Sequence, residues 1–260
     1  MNLICQNASI SELKKLSSYD RHSLLIEGPA GCGKSYLAKQ YASYLNISDF
    51  QIVDPNVQSI KSAIEECYRL ETPIVLCIEN LDKGVPAASY ALLKFLEEPS
   101  SNVYIVVTCR NINNVPDTII SRSAVVTVSP PIDKDTESFA LNRDSDKFNE
   151  LKSNLLWKCV RTFNDVDYVL TMTPQQLDYF EHLKSLCSFK DSVSTIMWQL
   201  GHYSDNSETP LELVIRYISE LCNNQFIRLT GIKCIAELSN SRIASHAVLA
   251  KFAFDCKYCE

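Results

Sequence analysis

Gly28-Pro29-Ala30-Gly31-Cys32-Gly33-Lys34-Ser35 fits the pattern G-x-x-x-x-G-K-[ST] in full, and Tyr36 follows it. Glycines at this spacing let the backbone turn so that successive N–H groups point inward around an anion. A helix starting at the end of the loop adds the partial positive charge of its N-terminus. Lys34 then reaches the β- and γ-phosphates as a point charge, and Ser35 offers a hydroxyl to Mg²⁺. The chemistry is nucleotide binding. Glu79, which ends the apolar run Ile74-Val75-Leu76-Cys77-Ile78, is the candidate acid on the metal side. The next residue in such sites polarises the attacking water. Here it is Asn80, which orients water without accepting a proton; Asp82 is close enough in sequence to substitute.

The elements that must hold these residues alternate along the first half of the chain. Apolar strand signals at 22–27, 50–53, 73–78, 103–108 and 124–128 are separated by helical periodicities at 9–16, 34–45, 60–70 and 87–96. Strand, helix, strand, helix in this rhythm predicts an α/β core, a parallel sheet with helices on both faces. At Pro130-Pro131 the pattern changes. The stretch 133–149 is polar and acidic, a connection with a short helix, and helical periodicities alone follow at 149–163, 174–187, 190–201, 210–223, 225–239 and 242–255. The polar segment Gly201–Ser207 is the best late linker. This divides the chain into a nucleotide-binding core over 1–130, a helical region over 131–205 and a smaller helical region over 206–260.

Of 260 residues, 46% are hydrophobic and 22% charged, enough to bury a core. The net charge of −6 argues against nonspecific coating of nucleic acid. The sequence has no run long enough to span a membrane and no leader pattern, so a cytoplasmic protein without membrane partners is expected. Eleven cysteines, scattered and odd in number, read as free thiols of a reducing compartment. The closest pair, Cys256 and Cys259, is one C-x-x-C without a second. The four histidines show no metal-ligand spacing.

Ala91-Leu92-Leu93-Lys94-Phe95-Leu96-Glu97-Glu98-Pro99, then Tyr104–Thr108, then Val115-Pro116-Asp117-Thr118-Ile119-Ile120-Ser121-Arg122-Ser123 resemble, in this order, the clamp-loader branch of the AAA+ ATPases, above all its delta-prime-like subunits. The resemblance is clear over 20–130 and weaker beyond, where Asn240–Leu249 looks like the family's last collar helix. It implies an AAA+ core followed by an all-α lid and a short all-α collar, with ATP and Mg²⁺ as cofactors. It also implies other clamp-loader subunits in a pentameric ring, a sliding clamp and primer–template DNA as partners, in DNA replication. In the family a Ser-Arg-Cys motif sends an arginine into the neighbouring subunit's site, which marks Arg122 here. Sensor-1 falls on Thr108, with Asn111 as the alternative.

The departures from the family pattern set up a second reading. The cysteine-rich insertion between the glycine loop and the acidic strand is absent, Asn80 stands where an acid is usual, and the lid segment 191–200 holds no arginine. Asn80 and the missing lid arginine suit a nucleotide-binding stator that hydrolyses little, while the intact Lys34-Ser35 speaks against it. A helicase-loader-type AAA+ protein is a third possibility, disfavoured by the collar-like helices.

Overall fold

The computed structural model describes residues 7–19, 21–97, 101–186, 210–222, 225–238 and 245–257. They divide into two units, residues 1–135 and 136–260.

In the first unit, five short apolar segments become strands: β1 (Ser23–Glu27), β2 (Asp49–Val53), β3 (Ile74–Ile78), β4 (Val103–Cys109) and β5 (Ala124–Thr127). They form one parallel sheet in the order β2-β3-β4-β1-β5. Side chains alternate between the two faces, as strand geometry demands. Leu24 and Ile26 join Val75, Cys77 and Val106 under α1 (Asn7–Ser18) and α2 (Lys34–Tyr44). Leu25 joins Leu76, Ile78, Ile105 and Val107 under α3 (Val57–Cys67), α4 (Pro86–Glu97) and the short α5 (Asp117–Ile120). Both faces are covered, so the strands are apolar throughout; all five residues of β3 are buried. The ends of the five strands and of α1–α4 lie within three residues of those expected from the sequence, and α5 was not expected.

The second unit is helical: α6 (Asp133–Arg143, which begins in the first unit), α7 (Ser145–Leu151), α8 (Leu155–Lys158), α9 (Phe163–Thr171), α10 (Pro174–Leu186), α11 (Leu211–Leu221), α12 (Gln225–Leu238) and α13 (Ser245–Lys257). A hydrophobic cluster gathers residues from Ala140 to Ala253, among them Phe148, Trp157, Tyr217 and Phe252. The single helix expected over 149–163 is corrected. Asn154 caps a new short helix by accepting from the Leu156 N–H, and Thr162 and Asp165 form a capping box that starts α9. Local side chain–backbone bonds broke the apolar periodicity. The segment 133–149 holds two helices rather than a connection with one. The helix expected over 190–201, the linker at 201–207 and Cys259 lie outside the described residues. Among those residues no helix is long and apolar enough to cross a membrane.

Candidate functional site

The strand register brings the candidate residues to the C-terminal edge of the sheet, where parallel α/β folds hold their ligands. β1 and β4 pair with Glu27 opposite Cys109, and β3 and β4 with Ile78 opposite Val107. One step further along lie Gly28, Glu79 and Thr108. The Gly28 N–H donates to the Cys109 carbonyl at 3.1 Å. A Cβ on Gly28 would fall 2.7 Å from the Val128 carbonyl oxygen, so no larger residue fits there without backbone movement. The loop then turns through Pro29 and Ala30. Gly31 (φ 68°) and Gly33 (φ 91°) both take the left-handed conformation that side chains disfavour.

Gly33 is the N-cap of α2 and offers no side chain to its first turn. The leading amides of an eleven-residue helix are therefore left as donors for an anion. Lys34 is buried, 7% exposed, and its Nζ donates to the Gly28 and Pro29 carbonyls at 2.7 Å each. Burial pushes its pKa below the usual lysine value, Arg110 adds like-charge repulsion, and Cys32, Cys109 and Asp82 oppose the shift. A desolvated ammonium held by neutral carbonyls lacks the counter-charge that a phosphate supplies.

The Ser35 hydroxyl donates to a carboxylate oxygen of Glu79. Hydroxyl and carboxylate are hard oxygen donors at a helix N-terminus and a strand end, a set that suits Mg²⁺. Thr108, 1% exposed, accepts the Asn80 N–H on its Oγ1 at 3.0 Å. Asn80 takes φ 50° and caps the 3₁₀ turn Leu81–Lys83. Asparagine tolerates this backbone where most residues do not, which gives position 80 a conformational role.

Not every candidate gathers at the loop. Tyr36 accepts from Gln40 one turn along α2, at 3.1 Å. Cys32 is buried, its thiol pushed upward mainly by desolvation. Arg122 gives Nη2 to Glu97 at 2.7 Å and Nη1 to the Thr118 carbonyl at 2.9 Å, rather than bonding the loop. Asn111 caps the 3₁₀ turn Ile112–Asn114 through the Asn113 N–H, leaving Thr108 as the buried hydroxyl at the strand end. Sequence reasoning passed over Arg110, since a lone arginine after a strand reads as surface charge. It also gave Asp82 no definite place. Asp82 Oδ1 and Arg110 Nε are both buried without a hydrogen-bond partner among the described residues.

A five-stranded parallel sheet, a glycine loop after β1, an acid after β3 and a helical region beyond define an α/β fold with a P-loop-type glycine turn. Residues 49–131 of this chain, which run from β2 through β5, match the family described as DNA polymerase III, delta subunit. Its fold is similar to that of a DNA polymerase III gamma subunit-related protein from Thermotoga maritima, with TM-score 0.57 and 16% identity over 96% of this chain and 98% of that one. It is also similar to the Holliday junction branch migration motor RuvB of the same organism, with TM-score 0.50 and 13% identity over 94% of this chain and 83% of that one. A variant of that motor aligns with TM-score 0.52 at 12% identity, over 96% and 83% of the two chains. At these identities the likeness is one of fold. No curated protein matches the chain by sequence.

Proposed function

We propose that the chain binds ATP and Mg²⁺ in the loop Gly28–Ser35 and works as a clamp-loader subunit. Residues 1–130 would serve as the nucleotide core, 131–205 as a lid and 206–260 as a collar. With other subunits in a ring, pentameric in this reading, it would open or place a sliding clamp on primer–template DNA. The observation that carries the proposal is the convergence of the open N-terminus of α2, buried Lys34 and the Ser35–Glu79 pair on one strand edge. The family match over 49–131 sets the direction of the reading.

The roles follow from the chemistry of each group. The loop amides and Lys34 hold the phosphates, and Ser35 with Glu79 holds the metal. Bound Mg²⁺–ATP supplies the reactive phosphoanhydride and neutralises charge as it breaks. Thr108 fixes the backbone at Asn80, and the Asn80 amide orients a water. Asp82 is the nearby carboxylate able to accept that water's proton. Arg122, exposed and held by Glu97, is presented to a neighbouring subunit, where it would stabilise developing γ-phosphoryl charge.

A second reading, a nucleotide-binding stator, is favoured by the backbone role of Asn80. The test is steady-state ATP hydrolysis by the purified chain at high concentration, with and without primed DNA, against Lys34→Ala, together with ATP affinity. Turnover above the Lys34→Ala level that rises with DNA is expected for the motor, and Arg122→Ala should abolish it while changing ATP affinity only a few fold. Binding without turnover selects the stator. Absence of ATP binding overturns both.

A further inference from the structure

Arg122 lies just past α5, whose four residues are too few to hold a long side chain still on their own. Turn bonds close the backbone there. The Ser121 N–H donates to the Asp117 carbonyl at 2.9 Å, the Arg122 N–H to Ile119 at 3.1 Å and the Ser123 N–H to Ile120 at 3.2 Å. Ser123 then ties this turn to the sheet. Its Oγ shares a hydrogen bond of 2.8 Å with Ser23 Oγ, and Ser23 opens β1, the strand that runs into Gly28. A thiol, the group that follows the arginine in the family this segment resembles, is a weak donor and a weak acceptor. Serine at 123 gives the turn an anchor that cysteine would not give. The arginine side chain is held separately. Nη2 donates to Glu97, the last residue of α4, at 2.7 Å, and Nη1 donates to the Thr118 carbonyl at 2.9 Å. A guanidinium carries several N–H donors in one plane, so these bonds fix the plane and leave donors for an anion.

The exposure of the pair decides what Glu97 does. Its side chain is 53% exposed, so water screens its charge, and it takes little from the field of the arginine. What remains is geometry. A long side chain loses rotamer freedom when it meets a phosphate, and one already fixed in its own subunit loses less. We infer that Glu97 and Ser123 are positioning residues for Arg122, one setting its guanidinium and the other its backbone before a neighbouring subunit's nucleotide arrives. The inference rests on reading Arg122 as acting on a neighbour's triphosphate. Neither positioning residue touches that nucleotide; each acts through Arg122.

The experiment measures turnover with primed DNA, ATP affinity and the ¹⁵N heteronuclear NOE of Arg122 Nε in the wild-type chain, Glu97→Ala, Glu97→Gln and Ser123→Ala. Arg122→Ala assigns the NOE signal by its loss and serves as the turnover control. In the wild-type chain Arg122 Nε should be as rigid as the backbone, and in Glu97→Ala it should become mobile. Glu97→Ala is expected to lower kcat about fivefold, the most that a pair of this exposure gives, with ATP affinity within about twofold. Glu97→Gln, whose amide oxygen still accepts, should recover kcat to within about twofold of wild type. Ser123→Ala should lower kcat about threefold by loosening the turn, again with little change in ATP affinity. A mobile Arg122 in the wild-type chain overturns the proposal. So does a kcat that stays level or rises in both alanine variants while Arg122→Ala abolishes it; a loss in one alone keeps that residue and strikes the other. ATP affinity falling in step with kcat also overturns it, being the mark of a merely structural defect. If Arg122→Ala and the wild-type chain turn over alike, or not at all, the reading of Arg122 itself fails, and the proposal falls with it.

Discussion

One site in each unit buries charge, and the two sites treat it in opposite ways. In the helical unit Asp165, 4% exposed, accepts the Arg161 and Thr162 N–H groups at 3.0 Å each and two donors of Arg216 at 2.8 and 3.3 Å. Arg216 also donates to the Cys159 and Glu212 carbonyls at 2.5 and 3.2 Å. One carboxylate thus caps α9 and ties it to α11. At the edge of the sheet, Lys34 has only carbonyl acceptors, while Arg110 Nε and Asp82 Oδ1 have no hydrogen-bond partner among the described residues. A fully satisfied buried charge is architecture. A buried charge left short of partners costs stability and persists where a ligand completes it.

The largest expected effect breaks the satisfied cluster. Asp165→Ala leaves the Arg216 guanidinium buried without its counter-ion and removes the capping box. The loss should be about 3–5 kcal/mol in urea unfolding. Asp165→Asn, which keeps an acceptor for the two N–H groups, should cost less. A loss under about 1 kcal/mol for the alanine variant would mean that the cluster does not bind the helices together.

A middle-sized effect separates the units by pH. In the sheet unit burial raises the Cys67 thiol to about 11 and the Cys77 and Cys109 thiols to about 12; nearby Glu66, Glu79 and Asp82 respectively add to the rise. In the helical unit Cys159 is raised to about 12. The folded protein holds these protons when the unfolded chain, with thiols near 9, gives them up. The stability they contribute is therefore full below pH 9 and is lost as pH rises toward 11–12. Among the described residues more such thiols lie in the sheet unit, so alkaline unfolding should begin there. Cys77→Val tests the sign: its effect on the urea midpoint should shift in the variant's favour between pH 8 and 10.5. A difference that stays constant across that range would show that Cys77 ionises alike in the two states.

The same contrast explains what could be read from the sequence. The sheet was legible because both of its faces are covered, so each strand is an apolar run bounded by turn residues, and the glycine loop names its own strand and helix. The capping residues Asn154 and Thr162 were visible as letters, yet the apolar periodicity across 149–163 outweighed them, and α9 was missed. Thr108 was already preferred over Asn111, but the contact between its hydroxyl and the Asn80 N–H follows only from register. Arg110 depends wholly on register: its position next to Gly28 follows from how β4 pairs with β1, which no spacing along the chain reveals. The Glu97–Arg122 pair likewise joins segments that were each recognised, without any sign that they touch.

The smallest expected effect falls on that pair. Arg122 and Glu97 have side chains 36% and 53% exposed, and their contact at 2.7 Å is open to water and salt. Such a pair contributes about 0–1 kcal/mol to stability. Arg122→Ala and Glu97→Gln should therefore melt within a few degrees of the wild-type chain. An arginine that matters little to its own fold, yet is fixed by a carboxylate and the Thr118 carbonyl, is free to act on something outside its chain. If Arg122→Ala unfolded the protein as Asp165→Ala is expected to, Arg122 would belong with the satisfied charges of the architecture. The role proposed for it toward a neighbouring subunit would then lose its physical basis. A near-silent melt combined with lost turnover in the assembled ring would put Arg122 with the sheet-edge charges, held ready for a partner rather than for the fold.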